Sequence, residues 1–126
     1  MLLENRESMA FTDTILVGET KILKFRIEKD GKIKRVKIQI PDGPDGTLEI
    51  YPYYLDSKGV PKEIINFIGA KKALTGNNVD IDLFVDTFVE KYSSLEVKAY
   101  NGGTYPYPLQ CFIEVEYLEI KGAKYV

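Results

Sequence analysis

Chemistry at neutral pH most often relies on histidine as general base, metal ligand or proton switch, and this chain of 126 residues has no histidine. Its single cysteine, Cys111, lies in an alternating apolar run from Leu109 to Tyr117. There a thiol behaves as a small buried hydrophobe, and a nucleophilic cysteine would want a histidine beside it. One cysteine and no histidine leave too few ligands for zinc. The sequence holds no phosphate-cradling Gly-Lys-Ser/Thr loop, dinucleotide fingerprint, nucleophile elbow or Cys-x-x-Cys pair. Carboxylates remain. A glycosidase needs two of them held about 5–10 Å apart in a cleft, which spacing along a chain does not show. Asp42 and Asp45, with Asp80 and Asp82, could offer oxygens to Ca²⁺, which takes about six to eight, but they do not follow the EF-hand spacing, and turn chemistry with solvated charge accounts for them. The residues read as those of a protein that is not an enzyme and needs no cofactor.

What stands out is cationic. Residues 21–37 hold eight of the seventeen basic residues, against only Glu28 and Asp30, so the segment is near +6 and the remainder near −8. Lys24, Arg26, Arg35 and Lys37 are the candidate partner-binding residues of this segment. Its plainest reading is a solvated face, since lysines also blunt strand edges against aggregation. An acidic protein surface is the functional reading; a nucleic acid fits less well with a net charge of −2 and no recognised module.

The second feature is aromatic. Nine tyrosines and no tryptophan include two copies of one tripeptide, Tyr51-Pro52-Tyr53 and Tyr105-Pro106-Tyr107. Proline stiffens the chain and presents the flanking rings at low entropic cost. Tyrosine suits protein interfaces for that reason, and the same rings could stack on sugars. Tyr51, Tyr53, Tyr105 and Tyr107 are therefore candidate partner- or glycan-binding residues, with closure of the sandwich ends as their structural role.

The elements that would carry these residues are strands. Leu23, Phe25 and Ile27 alternate with Lys24, Arg26 and Glu28, and Val36, Ile38 and Ile40 alternate with Arg35, Lys37 and Gln39. Asp30-Gly31 between them is a strong signal for a two-residue hairpin turn with positive φ at both positions. That turn predicts Phe25 facing Val36 and Leu23 facing Ile38 in the core. It also sets Arg26 against Arg35 and Lys24 against Lys37 outside, each pair costing about 0.2–1 kcal/mol. An acidic partner strand, an acidic neighbouring subunit or a phosphate backbone would offset this. Further strands are predicted at 12–17, 47–54, around Val79, Ile81 and Leu83, at 95–100 and at 109–120. Pro41-Asp42-Gly43-Pro44-Asp45-Gly46 reads as two tight turns, and Pro52 suggests a strand edge or end. Residues 61–75 fit a short helix or a strand.

About seven short strands between Gly/Pro turns predict an all-β fold, an antiparallel β-sandwich or jelly-roll-like barrel. The expected organisation is a flexible arm at 1–10, one domain at 11–120 and a tail at 121–126. No signal peptide pattern opens the chain and no run reaches membrane-helix length, so synthesis in a cytoplasm without signal-directed secretion is expected.

In general character the chain resembles small accessory virion proteins of tailed bacteriophages, such as head-decoration or tail-associated β-sandwich proteins. The resemblance rests on the signal-less start, the 1–10 arm, the hairpin expected around Asp30-Gly31, the loop Asn101-Gly102-Gly103-Thr104 and the tail Lys121 to Val126. It implies a structural role in a viral particle, contact with other copies of itself, and location in the virion. It carries no residue roles. A carbohydrate-binding module is the alternative.

Overall fold

The computed structural model describes residues 5–65 and 73–117. Among them are eight strands and no helix: β1 Asn5–Ile15, β2 Thr20–Arg26, β3 Gly31–Ile40, β4 Leu48–Leu55, β5 Pro61–Glu63, β6 Val79–Val89, β7 Ser94–Asn101 and β8 Tyr107–Tyr117. The period-two apolar pattern places them. Ile33, Val36, Ile38 and Ile40 of β3 and Leu109, Cys111, Ile113 and Val115 of β8 are buried, as are Leu48 and Ile50 of β4 and Leu95, Val97 and Ala99 of β7. Each fully buried Ile, Leu or Val contributes about 1.5–3 kcal/mol.

The strands form two antiparallel four-stranded sheets, ordered β1-β8-β3-β6 and β2-β7-β4-β5. Strands consecutive in sequence mostly lie in opposite sheets, and the last strand inserts between the first and the third. That order is the jelly roll, two interlocked Greek keys closed into a sandwich. The sequence expectation of an all-β sandwich or jelly roll therefore holds, with eight strands in place of seven.

The predicted hairpin does not form. β2 pairs with β7, and β3 pairs with β8 and β6, so the two segments belong to different sheets. Neither Asp30 nor Gly31 has positive φ. The chain instead crosses between sheets. Ile27 is buried and holds β7's entry through Ile27 N–H to the Ser93 carbonyl (2.8 Å) and Tyr92 N–H to the Ile27 carbonyl (2.7 Å), while the Asp30 carboxylate accepts the Lys91 N–H at 2.7 Å. Gly31 is a glycine for another reason: a Cβ there would lie 2.9 Å from the Glu116 carbonyl oxygen of the adjoining β8. Alternation still assigned the faces. Val36 and Ile38 are buried, and Leu23 packs on the core, although Phe25 stays 38% exposed at the sandwich margin.

Other boundaries shift. β1 starts at Asn5, inside the segment read as an arm. In the ambiguous stretch, Pro61–Glu63 is a short edge strand, Ile64 is buried and Leu74 bridges to Ile50; residues 66–72 lie outside the described residues, as does the predicted tail. Pro52 sits mid-strand, paired with Val97, rather than at a strand end. Ile50 exchanges hydrogen bonds with Leu74, away from β7. Pro52, two residues on, points the same way, into the gap before β5 begins its pairing at Tyr53. A proline there removes no bond to β7.

The β1–β2, β3–β4, β5–β6 and β7–β8 connections gather at one end of the sandwich. Gly18 N–H reaches the Asn101 carbonyl (2.8 Å), Gly46 N–H the Gly76 carbonyl (3.1 Å), Asn78 N–H the Pro41 carbonyl (3.0 Å) and Gly102 N–H the Thr47 carbonyl (2.9 Å).

Candidate functional site

The jelly roll divides the four candidate cations between two outward faces. Lys24 and Arg26 lie on β2 in the second sheet, and Arg35 and Lys37 on β3 in the first. The like-charged pairs predicted across the hairpin do not exist. Lys24 stands opposite Glu96, and Arg26 opposite Ser94. Arg26 pairs with Glu28 at 3.5 Å, lies over the Tyr92 ring at 4.9 Å, and lines an open cavity of about 410 Å³ with Arg6, Phe25 and Tyr117. In this cavity region Tyr117 donates its hydroxyl to Glu7 (2.7 Å), and burial together with that carboxylate pushes the phenol's pKa upward.

On the outer face of the first sheet, charge is laid out in columns. β3 carries Lys32, Lys34, Arg35 and Lys37, and acidic strands flank it: Glu114 and Glu116 on β8, Asp80, Asp82 and Asp86 on β6. Arg35 Nε donates to Asp82 Oδ1 at 2.8 Å, and its Nη2 makes the second arm of a forked pair. Lys34 Nζ donates to Asp86 at 2.9 Å. On the far side Arg6 spans Glu114 (2.8 Å) and Glu116 (2.9 Å). The Arg35 guanidinium holds the Asp82 carboxyl below the usual range, and the Lys34 ammonium does the same for Asp86. The acidic partner strand that the cationic run calls for is thus supplied twice from within the chain.

A bulge makes this fit possible. The register of β3 slips between Ile33 and Arg35 against both neighbours, so Lys34 and Arg35, consecutive in sequence, are both half-exposed and paired on the outer face. Sequence reasoning missed it. Its signal was present: Ile33 and Val36 are both apolar and three apart, with two cations between them, which a strict period of two cannot accommodate.

Sequence reasoning also stopped β6 too early and missed its exposed aromatic side chains. Alternation continues through Val85, Thr87 and Val89 on the inner side. The outer side reads Asp80, Asp82, Phe84, Asp86, Phe88, and Phe84 is 77% and Phe88 51% exposed. β6 is an edge strand. The Arg35 guanidinium lies over the Phe84 ring at 5.0 Å, a cation–π contact that fixes the ring upright beside the ion pairs. Phe84 and Val85 border a shallow depression of about 460 Å³ with Arg6, Lys34, Arg35 and Glu114.

The two Tyr-Pro-Tyr segments are used differently. Tyr51 and Tyr53 share the outer face of β4, their rings stacked at 5.1 Å and 21°. Tyr53 donates its hydroxyl to Glu96 at 2.6 Å, and Glu96 is only 4% exposed although it faces outward. Burial, then this carboxylate, raise the Tyr53 pKa. Tyr107 packs on the core and against Gly43, whereas Tyr105 projects from the β7–β8 loop, 67% exposed. The repeated tripeptide therefore builds no common platform: one copy lies along a strand, the other turns a sandwich end.

Cys111 is buried in β8, and burial alone pushes its thiol up to about 12. Asp42 accepts the Asn77 side-chain amide (3.1 Å) while Asp82 serves Arg35, so the two carboxylate pairs act apart. Among the described residues no group of three or more carboxylate or thiol side chains could hold a metal ion.

No protein-family model matches the chain, and no curated protein does. Among solved structures it is similar to dimeric latent PorU from Porphyromonas gingivalis (TM-score 0.44, 15% identity), with 90% of this chain covered. It is also similar to the structure of infectious bursal disease virus Gx strain (TM-score 0.43, 12% identity), with 98% covered. The chain spans 13% and 34% of those two chains. Likenesses at this level carry no argument about function.

Proposed function

We propose that the chain is a non-catalytic assembly module that works by protein–protein contact, docking through the outer face of β6. The observation that carries this reading is the pair Phe84 and Phe88, large and exposed on an edge strand, beside charges already matched within the chain. Exposed aromatics on a sheet edge invite association, and a ring held beside an arginine has the composition of an interface centre. The missing histidine and the inert thiol of Cys111 support the absence of catalysis. The assembly we have in mind is a viral particle in which the chain meets other copies of itself. Its support is the jelly-roll architecture, used by capsid subunits as well as lectins and cupins, which is fold-level analogy.

The test is light scattering of the full chain over a wide concentration range, alone and with particles from its source. Association is expected, and Phe84→Ser with Phe88→Ser should abolish it while lowering the melting temperature by only a few degrees, the cost of the lost Arg35 contact. A chain that stays monomeric and joins no particle, or a double variant that associates as before, overturns the proposal.

A further inference from the structure

The sequence Asn101-Gly102 is chemically labile by type. Glycine has no side chain to shield its backbone nitrogen, and that nitrogen can attack the neighbouring asparagine amide. The nitrogen loses its proton and bonds to Asn101 Cγ; the Cγ–Nδ2 bond breaks, and ammonia leaves with the proton. Water then opens the cyclic imide at either carbonyl, leaving aspartate or isoaspartate.

In the folded chain every participant in that reaction is held. Asn101 is fully buried. Its Nδ2, the leaving group, donates to the Ile15 carbonyl at 2.9 Å and the Tyr105 carbonyl at 2.7 Å. Its Oδ1 accepts the Gly103 N–H at 2.9 Å. The attacking nitrogen of Gly102 keeps its proton on the Thr47 carbonyl at 2.9 Å, aimed at another loop rather than at the Asn101 side chain. Asn101 also ties the β1–β2 turn through its own backbone, donating to the Glu19 carbonyl (3.1 Å) and accepting from Gly18 N–H (2.8 Å). One residue thus pins the ends of β1 and β7 and the β7–β8 loop, and it is the residue the reaction would change.

We propose that Asn101-Gly102 is a latent deamidation site, shut by the fold and released when the loop end opens, and that its reaction makes opening irreversible. The product explains the second half. A carboxylate at position 101 has no N–H for the Ile15 and Tyr105 carbonyls and would bring a charge against two acceptors in a buried site. An isoaspartate would in addition lengthen the backbone where β7 ends. This inference is independent of the assembly reading.

The experiment follows the wild-type chain by peptide mass spectrometry at mildly alkaline pH, in native buffer and in unfolding urea. Conversion at position 101 should be at least about a hundredfold slower in native buffer, because only open molecules react. After urea is removed, unconverted chains should recover the native spectrum and converted chains should not. Equal rates in the two buffers, or full recovery by converted chains, overturn the proposal. Asn101→Asp, made directly, should refold poorly or melt well below the wild type; an unchanged melting temperature would count equally against it.

Discussion

Gly31 separates two accounts of one dipeptide. If Asp30-Gly31 turned a hairpin, glycine would be there for its backbone freedom. In the jelly roll it opens β3, and β8 approaches too closely for a side chain. Gly31→Ala places a Cβ 2.9 Å from the Glu116 carbonyl oxygen, 3.0 Å from Val115 Cγ1 and 3.3 Å from Tyr117 Cδ1. The Val115 and Tyr117 side chains can yield, but the Glu116 oxygen belongs to the backbone of a central strand. Overpacking of this kind costs about 1–3 kcal/mol. The less flexible unfolded chain returns about 0.4–1 kcal/mol, leaving a net loss of about 1–2 kcal/mol. At about 4 °C per kcal/mol for a domain of this size, the melting temperature should fall by about 4–8 °C. Gly31→Asn decides between the accounts. Asparagine tolerates positive φ better than alanine does, so a turn would rank it above alanine. A steric contact ranks it below, because its side chain is larger. Urea titrations should give midpoints in the order Gly, Ala, Asn with an unchanged slope. Asparagine equal to or better than alanine, or a neutral alanine, would refute the reasoning.

The ion-pair columns predict an acid response. Asp82 and Asp86 are held below the ordinary carboxylate range, mainly by hydrogen bonds from Arg35 and Lys34. A lowered folded pKa stabilises above the unfolded value, about 4, and that contribution fades as pH falls through the folded one. Asp82→Asn should therefore be less stable than wild type at pH 7 and lose less on acidification to pH 3, by urea midpoints; parallel pH profiles would contradict this. Tyr53→Phe leaves the buried Glu96 carboxylate without its 2.6 Å donor, an expected loss of about 1–3 kcal/mol. Calorimetry showing no change would mean that water replaces the hydroxyl.

The sequence made strand identity and facing legible, because both follow from alternation and turn residues. Leu48 and Ile50 inward, Tyr51 and Tyr53 outward, and the buried Cys111 were all readable that way. Strand partnership was not. A segment such as Leu23-Lys24-Phe25-Arg26 turns the same side chains inward whether its neighbour is β3 or β7, so period two is silent about the sheet to which a strand belongs. Asp30-Gly31 is a good turn signal, and here tertiary packing overrode it. The candidate site suffered most: crowding of cations was a property of the chain segment, and folding spread it over two faces. Phe84 and Phe88 were missed because Leu83, Phe84 and Val85 are apolar in succession, which interrupts the alternation that marks the first half of the strand.

The place of β8 between β1 and β3 has a consequence for biosynthesis. While the polypeptide emerges from the ribosome, β1 and β3 have no common neighbour until residues 107–117 have been made, so the first sheet cannot close progressively from the start. A nascent chain stalled before that point leaves Met9, Phe11, Val36 and Ile38 without the strand that joins them. Such late, long-range closure slows folding and leaves sticky surface waiting. Chaperone demand from this sheet should therefore drop abruptly once residues 107–117 have left the ribosome, rather than decline strand by strand.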